Sequence, residues 1–293
     1  GFMSKNWDVA VPGEDWAREC LRVLKPGGHL IAFAATRTIH RLTVAVEDAG
    51  FEIRDQIGWV QWQGFPKSLS IPAQLEGSDA QRFEGCGTAL KPAFEPAVLA
   101  RKPLSGTVAA NCLEWGTGGL NIDGCRYAYG DPAWPGPQEG DGAWGGGGSK
   151  LHEGGLSKVG GEARPALGRW PANIYACPKP SRSEREQGCE SLSSKSATSP
   201  AGPGGWKEKE VKNYHPTVKP IQLMRWLIRL VSPPALDGVP PVVLETFGGS
   251  GTTMVAAELE GVRCIGIEME PSYCDIIRAR LTDAIGGEDG QTD

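Results

Sequence analysis

Hydrophobic and polar positions repeat along the chain with two spacings, and the switches between them mark its elements. Residues 14–24 place Trp16, Ala17, Cys20, Leu21, Val23 and Leu24 near one face of a helical spiral, which predicts an amphipathic helix stopped by Pro26-Gly27-Gly28. His29 to Ala35 is an apolar run of strand length, residues 38–49 predict a second helix closed by Gly50, and Phe51 to Gln63 alternates as a strand. Lys91 to Pro103 holds another short strand bounded by prolines. The pattern lapses over residues 104–210. Asp131 to Gly161 is mostly Gly, Pro, Trp and charge, cannot bury a core of its own and predicts long loops.

Order returns at Asn213. His215-Pro-Thr-Val-Lys-Pro220 reads as extended, because each proline disfavours helix in the residue before it. Pro220 starts a helix with Ile221, Leu223, Met224, Leu227, Ile228 and Val231 on its apolar face. Val242, Val243 and Leu244 form a strand, Gly248, Gly249 and Gly251 a sharp turn, and Thr252 to Leu259 a helix that stops at Gly261. A second apolar strand ends on Glu268, and Pro271 to Leu281 predicts a closing helix.

Composition narrows the class without naming a chemistry. The 293 residues include 41 Gly and 23 Pro, which belong in loops, and no run of 18 apolar residues exists. With no basic-then-apolar leader, the expectation is a soluble, cytoplasmic protein. Eight Cys are scattered without a C-x-x-C, which fits reduced thiols; Cys177 and Cys189 have no His/Cys companions, so no metal is expected. The net charge of −5 is uneven: Lys91 to Leu230 holds 18 Lys/Arg against 13 Asp/Glu, and the remainder 12 against 22. A basic middle between acidic ends suits contact with a polyanion; solvated loop charge is the plainer reading.

Strand, Gly turn, helix, strand and acid together make a nucleotide-type βαβ unit. The glycines allow close backbone approach, and the terminal acid accepts hydrogen bonds from ribose hydroxyls. Glu268 follows Glu245 by 23 positions, near the roughly 20-residue interval of that fingerprint. Phe247-Gly-Gly-Ser-Gly-Thr-Thr253 lacks the G-x-G-x-x-G of dinucleotide sites, and no Lys follows Gly251 as in a phosphate loop. An adenosine cofactor without a diphosphate is the best fit, and S-adenosylmethionine meets that description.

His215-Pro-Thr-Val-Lys-Pro220, followed by a helix and then Glu245-Thr-Phe-Gly-Gly-Ser-Gly-Thr-Thr253, resembles the cofactor half of the β-class DNA amino-methyltransferases. The resemblance implies an α/β fold, a Rossmann-like S-adenosylmethionine methyltransferase sheet in permuted motif order with a loop-rich insert. It divides the chain into a target-side half (1–103), an insert that recognises DNA (104–210) and a cofactor half (211–293). It implies methyl transfer to an exocyclic amine of double-stranded DNA, adenine N6 favoured over cytosine N4, and leaves open a homodimer or a restriction partner. By the same resemblance Phe247, Gly248, Gly249, Ser250, Gly251 and Thr252 shape the cofactor turn. Glu268 holds the ribose, Glu245 the ammonium, and His215, Thr217 and Lys219 the methionine side. That family usually has Asp-Pro-Phe where this chain has Glu245-Thr246-Phe247, a carboxylate one methylene longer.

DNA-facing candidates are Phe65, Lys67, Arg169, Lys179, Arg182 and Arg185, cations for phosphates and base edges and an aromatic for a splayed base. Trp62 is a second aromatic candidate, and packing of either ring at a sheet edge is the plain alternative. The family's catalytic (Asp/Asn/Ser)-Pro-Pro-(Tyr/Phe/Trp) tetrad is absent from the sequence. Ser232-Pro233-Pro234-Ala235 lacks the aromatic, and Asp131-Pro132-Ala133-Trp134 lacks the second proline. The expectation is that the tetrad and a first core strand lie upstream of Gly1. The catalytic residues are therefore unassigned, and two rivals stand beside the enzyme: a catalytically silent cofactor- or DNA-binding fragment, and an NAD-dependent enzyme.

Overall fold

A computed structural model describes residues 10–64, 66, 68–128, 170–200 and 206–286. The fold is mixed α/β and divides into two compact units.

The first unit spans Gly1–Leu24, His29–Pro103 and Cys177–Lys179. Its elements are α1 (Glu14–Val23), β1 (His29–Phe33), α2 (Ile39–Asp48), β2 (Glu52–Val60), α3 (Gly77–Arg82) and β3 (Phe94–Arg101). Glu14 and Asp15 in the first turn of α1 and Arg22 in its last complement the helix dipole. β3 lies between β1 and β2 and runs antiparallel to both, pairing Arg101 with His29 on one side and Glu52 on the other. A parallel ladder would need a crossover helix packed on the sheet. Among the described residues, the link between β2 and β3 holds a short 3-10 turn and the six-residue α3, neither with a buried residue, and the chain returns antiparallel.

Ala17 and Cys20 of α1, Leu42 and Val46 of α2, and Leu30, Phe51, Val98 and Ala100 form the core of this unit. β3 is buried from Pro96 to Arg101. The Arg101 guanidinium meets Glu52 at 2.6 Å, as a buried charge requires. Burial, helped by Arg101 and Arg54, lowers the His29 pKa to about 4.

The second unit spans Lys25–Gly28, Leu104–Ala176 and Pro180–Asp293. It contains α4 (Val108–Trp115), β4 (Ile174–Ala176), α5 (Arg182–Glu186), β5 (Lys195–Pro200), β6 (Trp206–Val211), α6 (Ile221–Val231), β7 (Val242–Glu245), α7 (Thr252–Leu259), β8 (Arg263–Gly266) and α8 (Pro271–Gly286). β5 and β6 pair antiparallel, so residues 195–200 and 206–211 are strands where the sequence pattern implied loops. β7 and β8 pair in parallel, Val242 to Arg263 through Glu245 to Gly266, and α7 links them as the sequence pattern predicts. Ile228 of α6 packs with Ala256, Ala257 and Val262 behind this βαβ unit.

α4 shows how a polar side chain can order a glycine-rich stretch. Thr107 caps the helix by accepting from the Ala110 N–H, and Gly116 ends it at φ 78°. Asn111, fully buried, donates to the carbonyls of Pro26 and Thr117 and accepts from the Ser105 N–H. The expected 131–161 loops lie outside the described residues. No described helix is long and apolar enough to cross a membrane.

Candidate cofactor site

The turn after β7 is shaped by its packing. Gly249 and Gly251 hold φ of 57° and 78°, which L side chains rarely adopt. A Cβ on Gly251 would also meet Ile277 of α8 at 3.2 Å, and one on Gly249 would meet the His215 Nε2 at 3.0 Å. The chain can therefore pass tightly between α8 and the histidine only where glycine stands.

Most of the turn's backbone donors are already used. Gly248 N–H donates to the Ile267 carbonyl at 2.7 Å, Gly251 N–H to the Gly248 carbonyl at 2.8 Å, and Phe247 N–H to Glu245 Oε1 at 2.9 Å. Gly249 N–H donates to Glu268 Oε2 at 2.6 Å. Phosphate-cradling loops aim such N–H groups at an anion. Here a carboxylate occupies that place, which disfavours a diphosphate.

Glu268 stands beside the turn, its second oxygen accepting from the Glu270 N–H at 2.8 Å. A carboxylate offers about four lone-pair sites, so two remain for hydroxyl donors such as those of a ribose. Glu245 accepts from the Thr253 hydroxyl at 2.5 Å through its other oxygen. Burial raises its pKa; the bonds from Thr253 and Phe247 lower it, and the nearby Glu268 charge raises it further. A cation placed against Glu245 would relieve that cost. These donors and acceptors fit an adenosine-type group carrying an ammonium, and Phe247, 60% exposed, provides an aromatic face at the rim.

His215 is 8% exposed, its ring edge-on to Tyr273 at 4.6 Å, and Thr217 N–H folds back on its Nδ1 at 3.3 Å. The structure thus brings together His215, Glu245, the turn from Phe247 to Thr252 and Glu268. Thr217 is exposed and Lys219 half-buried.

Two arginines hold this assembly. Arg280 of α8, 3% exposed, sends one Nη1 to the Ser250 carbonyl (2.8 Å), the Ser250 hydroxyl (3.2 Å) and the Thr252 hydroxyl (3.1 Å). Burial lowers its pKa. Sequence reasoning assigned it no role, although its place three and four residues after Ile277 and Ile276 puts it on the buried face of α8. Arg185 of α5 donates to the His215 carbonyl at 3.0 Å, and its own carbonyl accepts from the Asn213 side-chain amide at 2.8 Å. Glu184 accepts from the Ile221 N–H at 2.7 Å, supporting the start of α6. α5 therefore anchors both ends of the His215–Pro220 segment.

Of the other DNA-facing candidates, Lys179 lies 3.9 Å from Glu95, and Arg182 pairs with Glu186 and the Glu210 carbonyl. Phe65, Lys67 and Arg169 lie outside the described residues, as does Asp131-Pro132-Ala133-Trp134. Trp62 is 71% exposed. Ser232 ends α6, its N–H on the Ile228 carbonyl, so Ser232-Pro233-Pro234 is a helix-terminating turn.

The model of the N6_N4_Mtase family, described as DNA methylase, matches residues 13–279. The Type II methyltransferase M.HindIII of Haemophilus influenzae is 25% identical over 275 residues, covering 92% of this chain and 67% of that protein. M.HinfI, from the same species, is 39% identical over 77 residues, 26% of this chain and 20% of its own length. Among solved structures, the PvuII DNA methyltransferase (cytosine-N4-specific) aligns at 16% identity and a TM-score of 0.49, covering 92% of this chain and 70% of that one.

Proposed function

The chain belongs to the N6_N4_Mtase family of DNA methylases, and from that premise we propose that it transfers a methyl group from S-adenosylmethionine to an exocyclic amine in double-stranded DNA, adenine N6 in preference to cytosine N4. The observation that carries the cofactor half of this reading is the Gly249 N–H held at 2.6 Å by Glu268, a turn closed by a carboxylate instead of opened to phosphate. When bound, the donor supplies an electrophilic sulfonium methyl.

The chain's own work is positioning, which in a direct transfer lowers the barrier more than a strong base would. Glu268 takes the ribose hydroxyls on its remaining lone pairs. Glu245, raised in pKa by burial, takes the ammonium, while His215, Thr217 and Lys219 line the methionine side. Residues 1–103 act as the target-side half, 104–210 as the DNA-recognising insert and 211–293 as the cofactor half, with Lys179 and Arg182 among the groups that meet phosphates. The adenine preference rests on how often that base is the target in the family this chain resembles.

Incubating the protein with methyl-labelled donor and plasmid duplex, then separating the digested nucleosides, tests the reading. Label in N6-methyladenine is expected. Label in N4-methylcytosine overturns the base preference, and label in neither, from protein that still binds the donor, supports a second reading as a catalytically silent binding protein. One observation favours that second reading: no (Asp/Asn/Ser)-Pro-Pro-(Tyr/Phe/Trp) sequence occurs in the 293 residues.

A further inference from the structure

The His215–Pro220 segment has little of its own to hold it. It lies in neither a strand nor a helix, and Pro216 and Pro220 carry no backbone N–H. Pro220 opens α6 without a side-chain cap, and the first turn of that helix contains no acid. Support comes from α5, where two consecutive side chains reach opposite ends of the segment. Arg185 Nη2 donates to the His215 carbonyl at 3.0 Å, and Glu184 Oε1 accepts from the Ile221 N–H at 2.7 Å. Asn213, 1% exposed, ties in the approach: its amide donates to the Arg185 carbonyl at 2.8 Å, and its oxygen accepts from the His215 N–H at 3.2 Å.

α5 is fixed in turn to the helix that backs the glycine turn. A Cβ on Gly188, just past α5, would meet the Asp283 Cβ of α8 at 2.7 Å, and Cys189 clusters with Tyr273 and Ile276. The same helix presents Ile277 to Gly251 and Arg280 to Ser250 and Thr252. Both walls of the site, the turn and the His215 segment, are therefore referred to α8, one directly and one through α5. Burial lowers the Arg185 pKa, so its charge is kept there at a cost. A neutral amide could meet the same carbonyl; a charged donor holds it about twice as strongly.

We propose that Arg185 and Glu184 are positioning residues for the methyl donor. They fix how far the His215 segment stands from the glycine turn, and so govern recognition of the donor's amino-acid end and not of its nucleoside. This rests on the reading of the turn as an S-adenosylmethionine site. Both residues act through the backbone of the segment, on the wall that carries His215, Thr217 and Lys219; Glu268, which takes the ribose, belongs to the other wall.

The test is calorimetry of the full chain with S-adenosylmethionine and with methylthioadenosine, which keeps the nucleoside and the sulfur but lacks the amino-acid carbons. Wild type, Arg185→Gln and Glu184→Ala are compared, with far-UV circular dichroism as the folding control. Each variant is expected to bind S-adenosylmethionine about tenfold more weakly and methylthioadenosine within about twofold of wild type. Equal weakening of both compounds, or unchanged affinity for both in folded variants, overturns the proposal. A second arm needs no ligand. The His215 ring, edge-on to Tyr273 at 4.6 Å, should show that ring's influence in its NMR resonances, those of one of four histidines. Those resonances should move in both variants and return toward wild type in Arg185→Lys, which keeps a cation; unmoved resonances overturn the proposal. Wild type that binds neither compound removes the cofactor assignment and the donor role with it, and moved resonances then leave α5 as an anchor of His215 alone.

Discussion

The two units use burial for different ends. In the first, burial goes mainly into apolar packing: β3 is buried from Pro96 to Arg101, and α1 and α2 add Ala17, Leu42 and Val46. Its buried polar groups serve the sheet, as Arg101 does with Glu52 and Gln61 with the Pro92 carbonyl. In the second, a short parallel pair leaves Val242, Leu244 and Ile265 exposed, and beside an apolar core that includes Leu223, Leu227, Ala256 and Ile276 it buries polar groups around one turn: His215, Ser250, Thr252 and Arg280. Arg280 holds that turn from behind, Glu245 and Glu268 occupy its donors, and Arg185 fastens the His215 segment. A scaffold favours groups that satisfy one another. A binding site keeps charged groups in costly places so that a ligand can complete them.

Substitutions should separate these two uses of burial, and the largest effect is expected in the scaffold. Trp59, 2% exposed with its indole N–H on the Cys177 carbonyl, should lose about 3–5 kcal/mol of stability on change to Ala, read by urea denaturation. His29 should come next. Its folded pKa of about 4 lies below the ordinary value, so its contribution is complete above pH 6.5 and is lost as the pH falls toward 4. Because the imidazole is only partly buried, the loss should be at most ~3 kcal/mol, and His29→Gln should flatten the acid limb of a stability–pH curve.

In the site, Arg280→Gln should cost about 2 kcal/mol and weaken S-adenosylmethionine binding roughly tenfold, because the Ser250 and Thr252 oxygens lose a charged donor. A normal cofactor affinity in that variant would return Arg280 to the scaffold class. The smallest effect should carry an unusual sign. Burial raises the Glu245 pKa, so its contribution is present below the usual carboxylate range and is lost as pH rises through the raised value. At pH 8 Glu245→Gln should therefore stabilise the free protein by up to ~1 kcal/mol while weakening cofactor binding. Thermal melts with and without cofactor read both directions at once.

The sequence made the βαβ unit legible because its signals are local: apolar runs, glycines at a turn and an acid at a strand end. α1, α2, α6 and α7 follow equally well from 3.6-residue spacing. The β5–β6 pair did not, since Lys207-Glu-Lys-Glu210 offers no apolar alternation and the strands find their register only in pairing. α4 rests on Asn111 reaching the Pro26 carbonyl, 85 positions away in the chain. At the site, the acceptors were visible and the donors that hold them were not. Arg185 is a candidate cation for DNA by sequence, and the bond from its Nη2 to the His215 carbonyl, 30 positions away, is a contact that no local pattern reveals. Arg280 looked like ordinary helix charge until its burial was known.

A glycine turn closed by a carboxylate should bind S-adenosylmethionine and refuse a diphosphate. Calorimetry of the wild type and Glu268→Ala with S-adenosylmethionine and with NAD tests it most directly. Wild type should bind the methyl donor and not NAD, and Glu268→Ala should bind the donor about tenfold or more weakly, a loss of about 1.4 kcal/mol. NAD binding by wild type, or a folded Glu268→Ala protein with unchanged donor affinity, would contradict it.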